Sequence, residues 1–131
     1  MNGIIRYVAV LLILGLGDAI WLSYFAHAVF KPTLGEIVLE NPRWAAVVVF
    51  YFGYAAGIMI FAVLPALAAG SAWKALLYGA LFGLFAYGTY DVTNFATLRA
   101  WTLPLALLDT GWGVLLTAAA SLAGFLATWR S

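Results

Sequence analysis

Four long runs of mostly apolar residues constrain this chain's fold more than any other feature of its sequence. They cover about residues 4–27, 44–69, 73–98 and 103–129. A helix needs about 20 consecutive apolar residues to cross the hydrocarbon core of a bilayer. The runs therefore predict one all-α integral membrane domain, residues 1–131, built as an antiparallel bundle of four transmembrane helices.

The composition excludes a soluble globular domain. Hydrophobic residues make up 66% of the chain and charged residues only 8%, whereas soluble proteins are about 50% apolar and about 25% charged. A chain this short cannot bury so much apolar surface in its own interior, so its solvent must be lipid. The net charge of +1 provides no basic field for nucleic acid, and the absence of cysteine excludes disulfides and thiolate chemistry.

The longest connection between the runs, residues 31–43, carries two acidic residues at helical spacing. Glu36 and Glu40 are four residues apart, with apolar residues between them. This spacing predicts either a short helix that lies in the membrane interface or a plain surface loop.

Tryptophan and basic residues at the ends of the runs give an expected topology. Trp44 and Trp101 would lie at one face of the membrane and Trp73 and Trp129 at the other, as in aromatic belts. The six basic residues divide evenly between the two faces: Arg6, Lys74 and Arg130 against Lys31, Arg43 and Arg99. The first three lie close to span ends, so we expect both termini in the cytoplasm.

Three aspartates, Asp18, Asp91 and Asp109, fall inside the apolar runs. An aspartate at the centre of a membrane helix costs roughly 2.5 to 3.5 kcal/mol on insertion scales, so these side chains should face the bundle interior. Counted from the span ends at about 1.5 Å per residue, all three lie roughly 9 to 14 Å below the same membrane face. The sequence thus predicts one layer of carboxyl groups.

Aromatic and polar residues accompany this layer. Tyr87, Tyr90, Asp91 and Asn94 share one face of the third run, and Trp21 and Trp112 each follow an aspartate by three residues. Because the first and fourth runs are antiparallel, we expect these two tryptophans on opposite sides of the layer. Arg99 is the expected counter-charge, since it lies between Asp91 and Asp109 in the sequence.

The polar layer has two interpretations from sequence alone. Its side chains either hydrogen-bond the helices together or form a cavity for a ligand. The candidate ligand-binding residues are Asp18, Trp21, Tyr87, Tyr90, Asp91, Asn94, Arg99, Asp109 and Trp112. Carboxylate and amide oxygens suit hard cations, but no pair has the spacing of a helical metal site and His27 is expected at the interface, so no metal or cofactor is predicted.

Small residues recur at four-residue spacing in the last three runs. Gly53 and Gly57 form one such pair and Gly79 and Gly83 another, and a small and polar stripe follows the fourth run. The stripe consists of Asp109, Gly113, Thr117, Ser121 and Gly124. Such residues allow helices to approach closely, so we expect packing within the bundle, with homodimerisation through the glycine faces as the alternative.

Several strings of residues resemble a known family. They are Tyr90-Asp91-Val92-Thr93-Asn94-Phe95-Ala96-Thr97-Leu98, Asp109-Thr110-Gly111-Trp112-Gly113 and Asp18-Ala19-Ile20-Trp21-Leu22. Together they are similar to an uncharacterised family of short bacterial inner-membrane proteins with four spans. The resemblance implies the same fold and location, and the frequent occurrence of such genes beside enzymes that modify membrane fatty acids points towards lipid. Thr102 departs from the family's proline after Trp101, and Pro104 is expected to serve the turn instead.

Four functions follow from these observations. The leading hypothesis is a binding protein whose carboxyl and aromatic layer holds a membrane lipid or a small amphiphile. The alternatives are a lipid-modifying enzyme with one aspartate as acid and another as base, a small proton-coupled transporter, and a scaffold subunit of a membrane complex. The sequence leaves open whether the protein is catalytic.

Overall fold

A computed structural model describes residues 2–25 and 43–127, which fold into four helices. These helices are α1 (Asn2–Phe25), α2 (Trp44–Ala69), α3 (Ala72–Thr97) and α4 (Leu103–Leu126). The prediction of an all-α fold is confirmed for this part of the chain. The connection before Arg43, together with His27, Trp129 and Arg130, lies outside the described residues.

Local sequence signals fix the turns on both sides of α3. Gly70 ends α2 in the left-handed conformation, with φ of 64°, which glycine adopts without steric cost. Ser71 then caps α3, since its hydroxyl accepts a hydrogen bond from the Lys74 amide at 3.2 Å. Thr102 caps α4 in the same way, and Pro104 occupies the first turn of that helix, as expected from the sequence.

A π-helical turn, Met59–Val63, interrupts α2. The Leu64 amide bonds the Met59 carbonyl five residues back, and Pro65 follows directly. Proline has no amide hydrogen for the ordinary helical bond, and such wide turns relieve the disturbance it causes. The turn aims Met59, Ala62 and Val63 into the core.

Helices α1 and α4 pack against each other in opposite directions. Near the start of α1, Arg6 bonds the Gly124 carbonyl at 2.8 Å, and further along, Gly17 faces Leu116. Residue numbers therefore rise along α1 as they fall along α4.

Helices α3 and α4 form the closest pair, also antiparallel. A Cβ atom placed on Gly79 would lie 2.8 Å from the Thr117 carbonyl oxygen, and one on Gly83 would lie 2.5 Å from the Gly113 carbonyl oxygen. The second glycine pair of the sequence thus packs inside the bundle, as predicted. The stripe predicted on the fourth run is buried along its whole length.

The first glycine pair behaves differently, because its two members face different surroundings. Gly57 faces the ring of Phe82 on α3, whereas a Cβ atom on Gly53 would meet nothing within 4 Å. Only Gly57 therefore belongs to the packed interior, and homodimerisation through this face stays a prediction.

Three of the four helices, α1, α2 and α4, are long and apolar enough to cross a membrane. Helix α3 has 26 residues but is not among them, and its second half carries Asp91 and Asn94 together with several threonines and tyrosines. The outer surface of the described helices is dominated by large apolar side chains, while the buried set includes glycine, threonine, serine and aspartate. This distribution fits helices that pack on small and polar residues and face lipid with apolar ones.

Two of the tryptophans assigned to the aromatic belts are exposed, and a third is buried. Trp44 and Trp73 are exposed by 65% and 68%, as belt residues should be. Trp101, expected in the same belt as Trp44, is only 6% exposed. The reason is the turn after α3, in which the Trp101 amide bonds the Leu98 carbonyl and the indole packs edge-on against Tyr90, with ring centres 5.4 Å apart.

Arg6 also differs from its expected role as a cation at the membrane face. It is only 3% exposed, and its guanidinium donates to the carbonyl oxygens of Gly124 and Phe125. These carbonyls belong to the last turn of α4, where helical partners are missing and the helix dipole is negative. Arg6 thus ties the start of α1 to the end of α4.

Replacing Arg6 with methionine should lower the stability of the bundle by about 1 to 3 kcal/mol, because two carbonyls lose a charged donor. Lys74→Met is the matched control, since Lys74 is exposed at the same end of the bundle. Thermal unfolding of both variants in a neutral detergent checks the difference. Equal midpoints for the two variants would contradict the assigned role of Arg6.

Candidate functional site

A cavity of about 360 Å³ lies among the four helices. Eleven residues line it, and seven of them are aromatic. They are Asp18, Trp21, Leu22, Phe50, Tyr51, Tyr54, Ala86, Tyr87, Tyr90, Asp109 and Trp112. Leu22, Phe50 and Tyr90 are about half exposed, so the cavity opens onto the outer surface of the bundle.

Asp18 is held in the wall of the cavity by two side-chain donors from different helices. The Tyr51 hydroxyl of α2 donates to one carboxyl oxygen, and the Trp112 indole N–H of α4 donates to the other at 3.4 Å. Asp18 thereby joins α1 to both helices, and its carboxyl direction is fixed by aromatic side chains that also line the cavity.

Asp91 and Asp109 are neighbours that differ in their access to the cavity. Asp91 on α3 is fully buried and accepts a hydrogen bond from the Thr110 hydroxyl at 2.9 Å. Its other oxygen has no hydrogen-bond partner among the described residues. Asp109 on α4 is 7% exposed, lies beside the Asp91 carboxyl and lines the cavity.

Trp21 and Trp112 lie together, although the sequence predicts them on opposite sides of the carboxyl layer. The rings of Trp21 and Trp112 stack with centres 4.9 Å apart and planes at 12°. The register of α1 on α4 explains this. Gly17 faces Leu116, which is seven residues beyond Asp109, so Asp18 and Asp109 differ in depth by about 10 Å. The single carboxyl layer predicted from the sequence is therefore wrong for Asp18. Three residues further along each of the two antiparallel helices, Trp21 and Trp112 lie at the same level.

The inner part of the cavity is built where α2, α3 and α4 meet. The Tyr54 hydroxyl and the Thr117 hydroxyl are 2.7 Å apart and hydrogen-bonded in the interior. Tyr87 stands directly over Gly113, since a Cβ atom on that glycine would lie 2.1 Å from the Tyr87 ring. The rings of Tyr54 and Tyr87 meet edge to face with centres 5.9 Å apart. Glycine at position 113 is therefore required for Tyr87 to reach the cavity.

Three of the predicted site residues do not line the cavity. Asp91 lies behind Asp109, and Asn94 lies beside Tyr90, nearer the end of α3. Arg99, the expected counter-charge, is exposed and forms no ion pair with any residue in the described ranges. The remaining six, Asp18, Trp21, Tyr87, Tyr90, Asp109 and Trp112, surround the same space.

The sequence analysis missed the contribution of α2 to the site. Phe50, Tyr51 and Tyr54 all line the cavity, and Tyr51 bonds Asp18. A signal was present, because Tyr51 and Tyr54 carry the only hydroxyl groups of the second apolar run, residues 44–69. Hydroxyl groups within a membrane span need a hydrogen-bond partner. This need indicates that the two tyrosines point into the bundle, towards the aspartates.

In the part of the chain that the structure describes, no three carboxyl or imidazole groups are close enough to hold a metal ion. Asp91 and Asp109 are neighbours, whereas Asp18 is engaged separately by Tyr51 and Trp112. Of these three carboxyl groups, Asp18 and Asp109 line the cavity.

The fold and the cavity define an α-helical membrane protein with an acidic, aromatic-walled cavity between its helices. Residues 3–126 match the model of a family described as "Predicted membrane protein (DUF2177)", and the chain belongs to that family. The family has no established function, so membership confirms the resemblance without naming an activity. None of the curated proteins and none of the solved structures compared with the chain is significantly similar to it.

Proposed function

We propose that this protein is a four-span protein of the bacterial inner membrane that binds a lipid or another small amphiphile in the cavity between its helices. The observation that carries the proposal is the combination of two carboxyl groups, Asp18 and Asp109, with seven aromatic residues around one opening. Ligand sites are typically concave and mostly apolar, with a few polar groups that fix orientation.

The size and entrance of the cavity favour an amphiphile. Its volume of about 360 Å³ lies in the lower part of the range of small-molecule sites, roughly 300 to 1,000 Å³. The rim residues Leu22, Phe50 and Tyr90 lie on the apolar outer surface. A molecule with a polar head and an apolar tail can place its head against the carboxyls and leave its tail among the lipid chains.

Helix α3 is proposed as the fourth span despite its lower hydropathy. Its 26 residues extend about 39 Å, longer than a bilayer core of about 30 Å. The hydroxyls of Thr89, Thr93 and Thr97 each bond a carbonyl four residues earlier on the same helix, and Asp91 is fully buried. These four side chains are thus hydrogen-bonded within the helix or buried against α4.

Single-cysteine labelling tests the fourth span, because the chain has no cysteine of its own. A membrane-impermeant maleimide should reach Ala72→Cys and Arg99→Cys from opposite sides of the membrane, since these exposed positions lie before and after the proposed span. Arg43→Cys is the control and should label from the same side as Arg99→Cys. Labelling of Ala72→Cys and Arg99→Cys from one side would overturn the four-span topology.

Native mass spectrometry tests the binding proposal directly. Protein extracted from its membrane in a neutral, mild detergent should carry one bound amphiphile that survives removal of the detergent. Tandem fragmentation then identifies the released molecule. Protein that is folded by circular dichroism, yet carries no adduct and acquires none from added bacterial lipid extract, would rule the proposal out.

A further inference from the structure

We propose that the cavity selects amphiphiles whose head is an ammonium group. This inference rests on the binding proposal above and adds the chemical class of the ligand. An ammonium group linked to an apolar body is shared by free long-chain amines and by the headgroup of phosphatidylethanolamine, and the experiment below separates these two sources.

The charge of the cavity is the first argument. Two carboxyl groups line it and a third, Asp91, lies directly behind Asp109. Within the described ranges, no lysine, arginine or histidine lines the cavity. Arg6 is engaged at the carbonyls of α4, and Arg99 is exposed. Charges buried in an apolar medium are stabilised by a partner of opposite sign, and none of the described residues that line the cavity supplies one.

The walls of the cavity are the second argument. Tryptophan and tyrosine rings attract cations through their electron-rich faces, by about 2 kcal/mol or more where water is excluded. The cavity brings together two stacked tryptophans and four tyrosines of α2 and α3, beside Phe50. Aromatic cages of this kind are used by proteins to recognise quaternary ammonium ligands.

Asp109 is the carboxyl assigned to the ligand. Both oxygens of Asp18 are already engaged, by Tyr51 and by Trp112. Asp109 is only 7% exposed, and its carboxyl group is hydrogen-bonded to the carboxyl group of Asp91. Asp91 and Asp109 thus form a carboxyl pair of which Asp109 is the member that lines the cavity. A bound ammonium group would place a positive charge against this pair of carboxyl groups and would stabilise their ionised form.

The test compares probes that share one chain but differ in the head. Wild-type protein in a neutral detergent is titrated with decylamine, decanol and decanoate at neutral pH, and bound fractions are measured by native mass spectrometry. Decylamine should bind about tenfold more tightly or better than decanol, the ratio that about 1.4 kcal/mol provides. Decanoate should bind more weakly than either. Equal binding of decylamine and decanol, or tighter binding of decanoate, overturns the inference but leaves amphiphile binding intact, whereas binding of none of the three counts against both proposals.

Variants assign the preference to Asp109. Asp109→Asn should remove most of the preference for decylamine over decanol, and Asp109→Glu should retain it. Thr93→Val is the matched control, since this α3 hydroxyl bonds only the Thr89 carbonyl of its own helix and does not line the cavity. A preference that is unchanged in folded Asp109→Asn protein overturns the assignment. If that variant does not fold, the wild-type comparison of probes still decides the inference.

A lipid arm separates the two sources of the ammonium group. Protein in nanodiscs with equal amounts of phosphatidylethanolamine and phosphatidylglycerol is transferred to detergent, and the retained lipid is identified. Enrichment of phosphatidylethanolamine supports an ammonium headgroup lipid as the ligand. Decylamine binding without enrichment of either lipid supports a free amine. Enrichment of phosphatidylglycerol, which has no ammonium group, overturns the inference.

Discussion

Replacing Gly83 with alanine is expected to destabilise the bundle by about 2 to 3 kcal/mol. The added Cβ atom would lie 2.5 Å from the Gly113 carbonyl oxygen and 2.8 Å from the Thr117 side chain. The first of these contacts is with backbone, so no change of side-chain rotamer relieves it, and α3 must move away from α4. That movement also separates Tyr87 from Gly113 and disturbs the cavity wall.

Gly88→Ala is the matched control for this prediction. It lies on the same helix, and its added Cβ atom would meet only a Thr110 methyl group, at 3.9 Å. Alanine forms helices better than glycine, so this change should be neutral or stabilising by up to about 1 kcal/mol. Thermal or denaturant unfolding in detergent measures both variants. Similar stabilities for the two variants would mean that α3 and α4 are not packed backbone to backbone as the structure has them.

The helices were predictable because membrane spans carry a strong and local signal. Run boundaries read from hydrophobicity agree within about three residues with α2, α3 and the start of α4, where Ser71 and Thr102 act as caps. The close contact of α3 with α4 was also predictable, since Gly79, Gly83 and the small residues opposite them leave room for nothing larger.

The inward direction of the three carboxyl groups was predictable from the sequence, but their arrangement relative to one another was not. The cost of exposing Asp18, Asp91 and Asp109 to lipid requires that they point inward, whatever the details of packing. The distances between them depend on how far α1 is shifted along α4. This shift cannot be predicted from a local sequence pattern. That shift sets Asp18 about 10 Å from the level of Asp109 and makes Trp21 and Trp112 stack.

Trp101 and Arg6 show why residues at span ends are hard to place from sequence. A tryptophan or arginine near the end of a membrane span normally contacts lipid headgroups. Nothing in the apolar runs indicates that Trp101 and Arg6 are buried instead. Trp101 is buried because a turn folds it back over Tyr90, and Arg6 is buried because the last carbonyls of α4 lie beside it. Both causes are tertiary contacts between distant segments.

Filling the cavity should remove its occupant while leaving the bundle folded. Ala86 on α3 is a cavity-lining residue with a small, partly buried side chain, so Ala86→Trp places an indole in the space that the ligand would use. The amount of amphiphile retained after purification should fall about tenfold or more. The reason is that the added indole occupies the volume that the ligand needs, so the ligand can bind only by displacing it. Native mass spectrometry of the purified variant measures this loss.

Ala96→Trp is the control that separates a filled cavity from a general effect of adding tryptophan to α3. Ala96 lies on the same helix, but it is exposed and does not line the cavity. This variant should retain the bound amphiphile at the wild-type level, and both variants should show wild-type helical content by circular dichroism. Retention by a folded Ala86→Trp protein would place the binding site outside this cavity. Loss in both variants would mean that amphiphile is held at the outer surface of α3, where lipid contacts every exposed apolar side chain.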